Sequence, residues 1–169
     1  NEYYALAKIT GIKACESIQK QFGKDYMSLM PTNLYGYHDN FDLKSSHVIP
    51  AMIRKFHEAK VDNHSTVTLW GSGTVKREFL FVDDLAAAVV HAMENKLTNH
   101  LYNVGAGNDV TIKTLAKSIQ KIIGHKGNVI WDSSKPDGTP RKLMNVSKMK
   151  ELGWEYSTEF EVGIKKTYH

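Results

Sequence analysis

Glu78-Phe-Leu-Phe-Val-Asp-Asp-Leu-Ala-Ala-Ala-Val-Val-His-Ala-Met-Glu-Asn95 decides the fold class. Glu78 to Val82 is apolar and aromatic, the composition of a short buried strand. The next residues change character. Asp83 or Asp84 can cap a helix, and the Ala-rich run from Leu85 to Asn95 favours one. A strand that runs directly into a helix is half of a strand–helix repeat.

The same alternation extends on both sides. Upstream, Thr66 to Trp70 reads as a strand and Gly71-Ser-Gly73 as a turn. A helix is predicted from Ile49 to Ala59, with Pro50 tolerable because it falls in the first turn. Before it, Tyr35 to Ser46 is a turn-rich loop, and Tyr26-Met-Ser-Leu-Met30 is a buried strand ending near Pro31. The first helix covers Tyr3 to Phe22 and stops at Gly23. Downstream, His100 to Val104 is a strand, Thr111 caps a helix over Ile112 to Ile123, and Asn128 to Trp131 is a strand. Alternation of this kind specifies an α/β architecture in one unit, 1–169, with too few strands for a complete doubly wound sheet.

Composition narrows the class. The chain has 169 residues, 41% hydrophobic and 24% charged, which suits one globular domain with a real core. No apolar run is long enough to span a bilayer. The single cysteine, Cys15, has no internal partner for a disulfide, so a reducing cytoplasm is the expected compartment. A net charge of +4 suits an anionic partner, but the scattered Lys and Arg make no nucleic-acid patch. Asn1 runs straight into a helical pattern with no initiator Met or leader, and Glu161 to His169 resembles a helix stopped partway. We therefore expect a portion of a longer protein.

Tyr4 and Lys8 lie four residues apart, one above the other on a helix. Ala7, Gly11, Ile12, Cys15, Ile18 and Phe22 form an apolar arc with this pair in its middle. A buried Lys must be paired or have its pKa lowered, and a nearby ammonium favours a phenolate. The plainer alternative is packing. Gly105-Ala-Gly107 follows a strand and precedes a helix, but it lacks the third glycine and the acidic residue of a dinucleotide loop, so it reads as a turn. Cys15 reads as packing.

Tyr4-Ala-Leu-Ala-Lys8 resembles the Tyr-x-x-x-Lys signature of the short-chain dehydrogenases/reductases. Pro31-Thr-Asn-Leu-Tyr-Gly36 and Arg77-Glu-Phe-Leu-Phe-Val-Asp-Asp84 resemble segments of their extended, nucleotide-sugar branch. His38-Asp-Asn-Phe41, Ser46-His-Val-Ile-Pro50 and Lys135-Pro-Asp-Gly-Thr-Pro-Arg-Lys142 narrow the likeness further, and the motifs keep their order along the whole chain. The resemblance implies the C-terminal part of such an enzyme, with an incomplete Rossmann sheet and an α/β substrate-binding lobe. It implies 3,5-epimerisation of GDP-4-keto-6-deoxy-D-mannose followed by NADPH-dependent reduction at C4. The implied catalytic residues are Tyr4, Lys8 and His47. Lys8, Pro31, Thr32, Asn33, Leu34 and His47 would contact NADP(H), and Lys55, Trp70, Arg77 and Asp137 the GDP-sugar. A homodimer joined partly through the first helix is also implied.

Each assignment has a plainer rival. His47 could be a capping or surface histidine, Trp70 a core aromatic and Asp137 a turn residue. Other readings of the whole are a nucleotide-sugar 4-epimerase or 4,6-dehydratase, or a silent nucleotide-sugar-binding relative. The family's Gly-rich phosphate loop, 2′-phosphate selector, catalytic Ser and epimerisation Cys would precede residue 1. The chain by itself is therefore expected neither to bind NADPH tightly nor to reduce substrate.

Overall fold

A computed structural model describes residues 2–169 as a mixed α/β structure with parallel strands. In chain order the elements are α1 (Glu2–Phe22), β1 (Ser28–Pro31), β2 (Asn33–Tyr35), α2 (Val48–Val61), β3 (Thr66–Trp70), β4 (Lys76–Arg77), β5 (Phe79–Phe81), α3 (Val82–Glu94), β6 (Leu101–Val104), β7 (Val110–Thr111), α4 (Ile112–Ile123), β8 (Asn128–Asp132), β9 (Arg141–Lys142), α5 (Ser147–Glu151) and α6 (Phe160–Tyr168). The pairs β1–β6, β2–β5 and β3–β8 are parallel, each joined through intervening helices. A small mixed sheet sets β4 between antiparallel β7 and parallel β9.

Two cores result. The larger packs α2, α4 and α6 over β2, β3 and β5, with Phe56, Leu115, Ile119 and Ile164 wholly enclosed. The smaller gathers Leu80, Ala88, Tyr102, Val104, Met149 and Trp154. β5 belongs to both. Successive strand side chains face opposite ways, so Phe79 and Phe81 enter the larger core and Leu80 the smaller. This strand is the seam on which the candidate site is hung.

The α4 helix has the cap read from sequence. The Thr111 hydroxyl accepts from the Thr114 N–H at 3.0 Å, and Gly124 ends the helix in a left-handed conformation, φ 80°. Cap and helix were legible because polar Thr and permissive Gly bracket a clean apolar period. Pro50 is the third residue of α2, where its missing N–H has no intrahelical role to lose.

Several expectations need correction. Neither Asp83 nor Asp84 caps α3: Phe81 occupies the cap position, and both carboxylates lie in the first turn. Asp84 is buried and accepts from the Ser157 N–H and hydroxyl, each at 2.9 Å, and from the Thr158 N–H at 3.2 Å. It holds the approach to α6 rather than the start of its own helix. Residues 33–35 form a strand where only a segment leading into a loop was expected, and β1 starts two residues later than read. The two-residue strands β4, β7 and β9 are too short to produce any period.

The α1 helix lies open among the described residues. None of its residues is buried, and Ala7, Gly11 and Phe22 are exposed; Ile12, Cys15 and Ile18 are half-buried. Nothing among the described residues covers the first turns, so Lys8 is not desolvated here. Among the described residues no helix is long and apolar enough to cross a membrane.

Candidate functional site

The site lies where β3 and β4 end beside the loop 133–140. Asn33, Val48, Trp70, Gly73, Val75, Arg77 and Asp137 line one open cleft of about 220 Å³. Four residues singled out in the sequence therefore meet in one place, from segments more than one hundred residues apart.

Trp70 is 67% exposed. The alternation Thr66-Val-Thr-Leu-Trp70 buries Val67 and Leu69 and sends Thr66, Thr68 and Trp70 outward, so the core reading fails. Lys55 Nζ lies 5.9 Å and Lys135 Nζ 5.7 Å from the indole centre, both within cation–π range. The Lys55 ammonium also donates to the Thr68 carbonyl at 3.0 Å, which fixes it beside the ring.

Arg77 is half-buried in the cleft, and one guanidinium N–H donates to the Lys76 carbonyl at 2.7 Å. Among the described residues no carboxylate lies within 4 Å of it. A guanidinium fork with donors to spare, facing a cleft, is suited to a phosphate or diphosphate.

Asp137 has a different occupation. One carboxylate oxygen accepts from the Ser72 N–H and the other from the Ser72 hydroxyl, both at 2.7 Å. The Ser72 N–H, its hydroxyl and then the Arg77 charge hold the Asp137 carboxyl below the usual carboxylate range. Gly71 has φ 79°, and a side chain there would strike the Asp137 carboxylate. The residue locks its loop to the 71–73 turn.

Glu78 received no individual role in the sequence reading. It is wholly buried, yet its carboxylate accepts from the Gly107 N–H at 2.7 Å and the Met144 N–H at 3.0 Å. Its backbone carbonyl accepts from the Asn33 amide at 2.8 Å and the Thr32 hydroxyl at 3.2 Å. One residue thus joins the 32–33 segment, the 105–107 turn and the end of the 133–144 loop. The turn reading of Gly105-Ala-Gly107 holds, and its anion is internal: a side chain on Gly105 would collide with the Glu78 carboxylate. The only hint in sequence was a Glu inside an otherwise apolar strand.

His47 stands at the start of α2 in an extended conformation and makes no side-chain cap bond. Its imidazole is exposed, one residue before the cleft-lining Val48. Tyr4 and Lys8 do share one face, with the ammonium 5.4 Å from the Tyr4 ring centre. No hydrogen bond among the described residues joins this pair to the cleft. Pro31 closes β1, the Thr32 N–H donates to the Val104 carbonyl at 3.0 Å, and Leu34 packs against the smaller core. The 31–34 segment thus runs past the ends of two parallel pairs, a common ligand position in open α/β sheets.

The chain resembles known proteins along nearly its whole length. GDP-L-fucose synthase of Escherichia coli strain K12 is 53% identical over 99% of the chain and 55% of its own length. Probable GDP-L-fucose synthase 1 of Oryza sativa subsp. japonica is 52% identical over 99% of the chain and 51% of its own length. The chain thus spans about half the length of the curated relatives it matches. A crystal structure of a GDP-L-fucose synthetase from Naegleria fowleri bound to NADP superposes with TM-score 0.88 at 29% identity, over 98% of this chain and 54% of that one. The model of the NAD dependent epimerase/dehydratase family matches residues 1–105, which include α1, the 31–34 segment, Trp70 and the Arg77–Glu78 seam. By that match, and by a fold that superposes on such enzymes along nearly its whole length, the chain belongs to the NAD dependent epimerase/dehydratase family.

Proposed function

We propose that this chain is the C-terminal portion of an NADP-dependent epimerase/reductase that converts GDP-4-keto-6-deoxy-D-mannose to GDP-L-fucose. The observation that carries the reading is the cleft that Asn33, Arg77 and an exposed Trp70 line together, with Lys55 against the Trp70 ring. Relatives named GDP-L-fucose synthase are 53% and 52% identical to it over 99% of this chain. The larger core serves as the substrate lobe, while α1, β1 and β6 belong to the cofactor lobe.

The residues present suit one end of the cofactor. Tyr4 and Lys8 share a helix face, and the 31–34 segment lies at strand ends. The pyrophosphate is not held here, because Glu78 fills the Gly105–Gly107 turn. NADPH supplies the hydride that reduces C4. Tyr4 would give its phenolic proton to the C4 oxygen, and Lys8 would hold the nicotinamide ribose. His47, uncommitted to capping, moves protons at C3 and C5, where the adjacent ketone makes them acidic. Lys55 and Arg77 bind the diphosphate, with Trp70 against the nucleotide-sugar.

The exposed Tyr3, Leu6 and Ile9 of α1 suit a homodimer contact, and the lone cysteine suits a reducing cytoplasm. The test is a chimera in which the N-terminal half of the E. coli relative precedes residue 1. It should oxidise NADPH with the 4-keto sugar and, in heavy water, incorporate deuterium at C3 and C5. His47→Gln should abolish the exchange. Reduction without exchange in the parent chimera would point to a simple 4-reductase, and exchange that survived His47→Gln would remove the assigned base.

A further inference from the structure

We infer that Lys135 is a further ligand-binding residue of the cleft, held there by an Asp137 latch, and that it contacts the negative charge of a nucleoside diphosphate. The inference rests on the proposed GDP-sugar reading and adds to it a residue and a division of labour. Lys135 and Asp137 lie on the same loop, two residues apart, and behave oppositely. Asp137 spends both carboxylate oxygens on Ser72. Its bonds span 65 positions in sequence and tie the loop to the turn after Trp70.

Lys135 is left at the mouth with its ammonium 5.7 Å from the Trp70 ring centre. No carboxylate among the described residues lies within 4 Å of Lys55, Lys135 or Arg77. Asp132, three residues earlier at the end of β8, accepts from the Ser134 hydroxyl at 2.6 Å and the Ser134 N–H at 3.1 Å and stands beyond 4 Å from the Lys135 ammonium. Lys55 and Lys135 therefore flank one exposed indole, and Arg77 lines the same cleft. Like charges brought together in this way repel one another, and a ligand with two or more negative charges and a flat, stackable part relieves that repulsion. A nucleoside diphosphate has both features; a bare nucleoside has only the second. Asp137 is thus a positioning residue, since it acts through the loop it fixes.

The test is calorimetric titration of the chimera that carries the relative's N-terminal half before residue 1, with GDP and, separately, guanosine, at low and high salt. Lys135→Gln should weaken GDP by about threefold to tenfold, the size expected for one partly solvated charge, with guanosine unchanged and the difference shrinking in salt. Lys135→Arg should restore most of the affinity. Asp137→Ala should give a similar loss, and the double variant should bind no worse than the weaker single one, because latch and ammonium act as one unit. Lys135 is exposed, so its variants should melt with the parent. If GDP binds equally to the parent and Lys135→Gln, the inference falls while the substrate reading stands. If Lys135→Gln weakens GDP but Asp137→Ala does not, the latch is wrong. If the parent binds no GDP at millimolar concentration, the cleft reading falls and takes Lys135 with it.

Discussion

The α1 helix and the cleft are built on opposite principles. α1 carries its chemistry in five consecutive residues, Tyr4 to Lys8, and nothing among the described residues encloses them. The cleft carries no local signature. Its side chains arrive from β2, α2, β3, β4 and the 133–140 loop, and two packed cores hold them in register. Tyr4 and Trp70 are equally exposed at 67%, yet one stands on an uncovered helix and the other at the lip of a built cavity. Exposure alone therefore says little about function; what surrounds the exposed group decides.

That contrast can be broken in four ways. The largest effect is expected from Tyr4→Phe in the chimera with the relative's N-terminal half, which should lower NADPH oxidation by about 10²–10⁴-fold. The same substitution should leave the melting temperature of the 169-residue chain unchanged. A change in melting would mean that α1 is more closely integrated than its exposure indicates.

Next in size is Leu115→Ala in α4. Leu115 is fully buried beneath the cleft lobe, so the substitution should cost about 2–5 kcal/mol in denaturant unfolding. Ile9→Ala on the open part of α1 should cost under about 0.5 kcal/mol. Equal losses at the two positions would contradict the division into enclosed and uncovered regions.

Glu78→Gln tests the seam. An amide has one acceptor oxygen for two backbone N–H donors, so one of Gly107 and Met144 loses its partner. The expected cost is about 1–3 kcal/mol. Hydrogen exchange at these two amides should quicken more than at the α4 amides, and uniform quickening would mean general destabilisation rather than a local joint.

The smallest effect is a pH dependence of the Asp137 latch. Its carboxyl is depressed by Ser72 and then Arg77, so its contribution is fully present above the unfolded-state pKa of about 3.9. It is lost as pH falls through the lower folded-state value. Cleavage of the 133–140 loop by an acid-active protease should rise only below about pH 4. The same rise at pH 5–6 would assign the dependence to another group.

Much of the architecture was legible because it repeats. The α4 helix, with Thr111 and Gly124 at its ends, and the strand Thr66–Trp70 follow from periodicity and caps. Helix α1 was found as well, and its period shows which face is apolar but not what covers it. Asp84 was misplaced for a related reason. A carboxylate at a helix start is an ordinary cap, and only the packed structure brings Ser157 and Thr158 to it. Trp70 could have been read as outward from the alternation of its own strand.

By itself the sequence determined the α/β class, the helix that presents Tyr4 and Lys8 together, and the motifs that tie the chain to its family. These follow from period, capping and residue order, all of which act over a few neighbours. Only the tertiary structure decided that Arg77 faces the cleft with no carboxylate within 4 Å among the described residues, that Glu78 fills the glycine turn, and that Asp137 is spent on Ser72 while Lys135 stands beside Trp70. Those outcomes depend on which distant groups meet, and contacts across 29 to 66 residues leave no period to read.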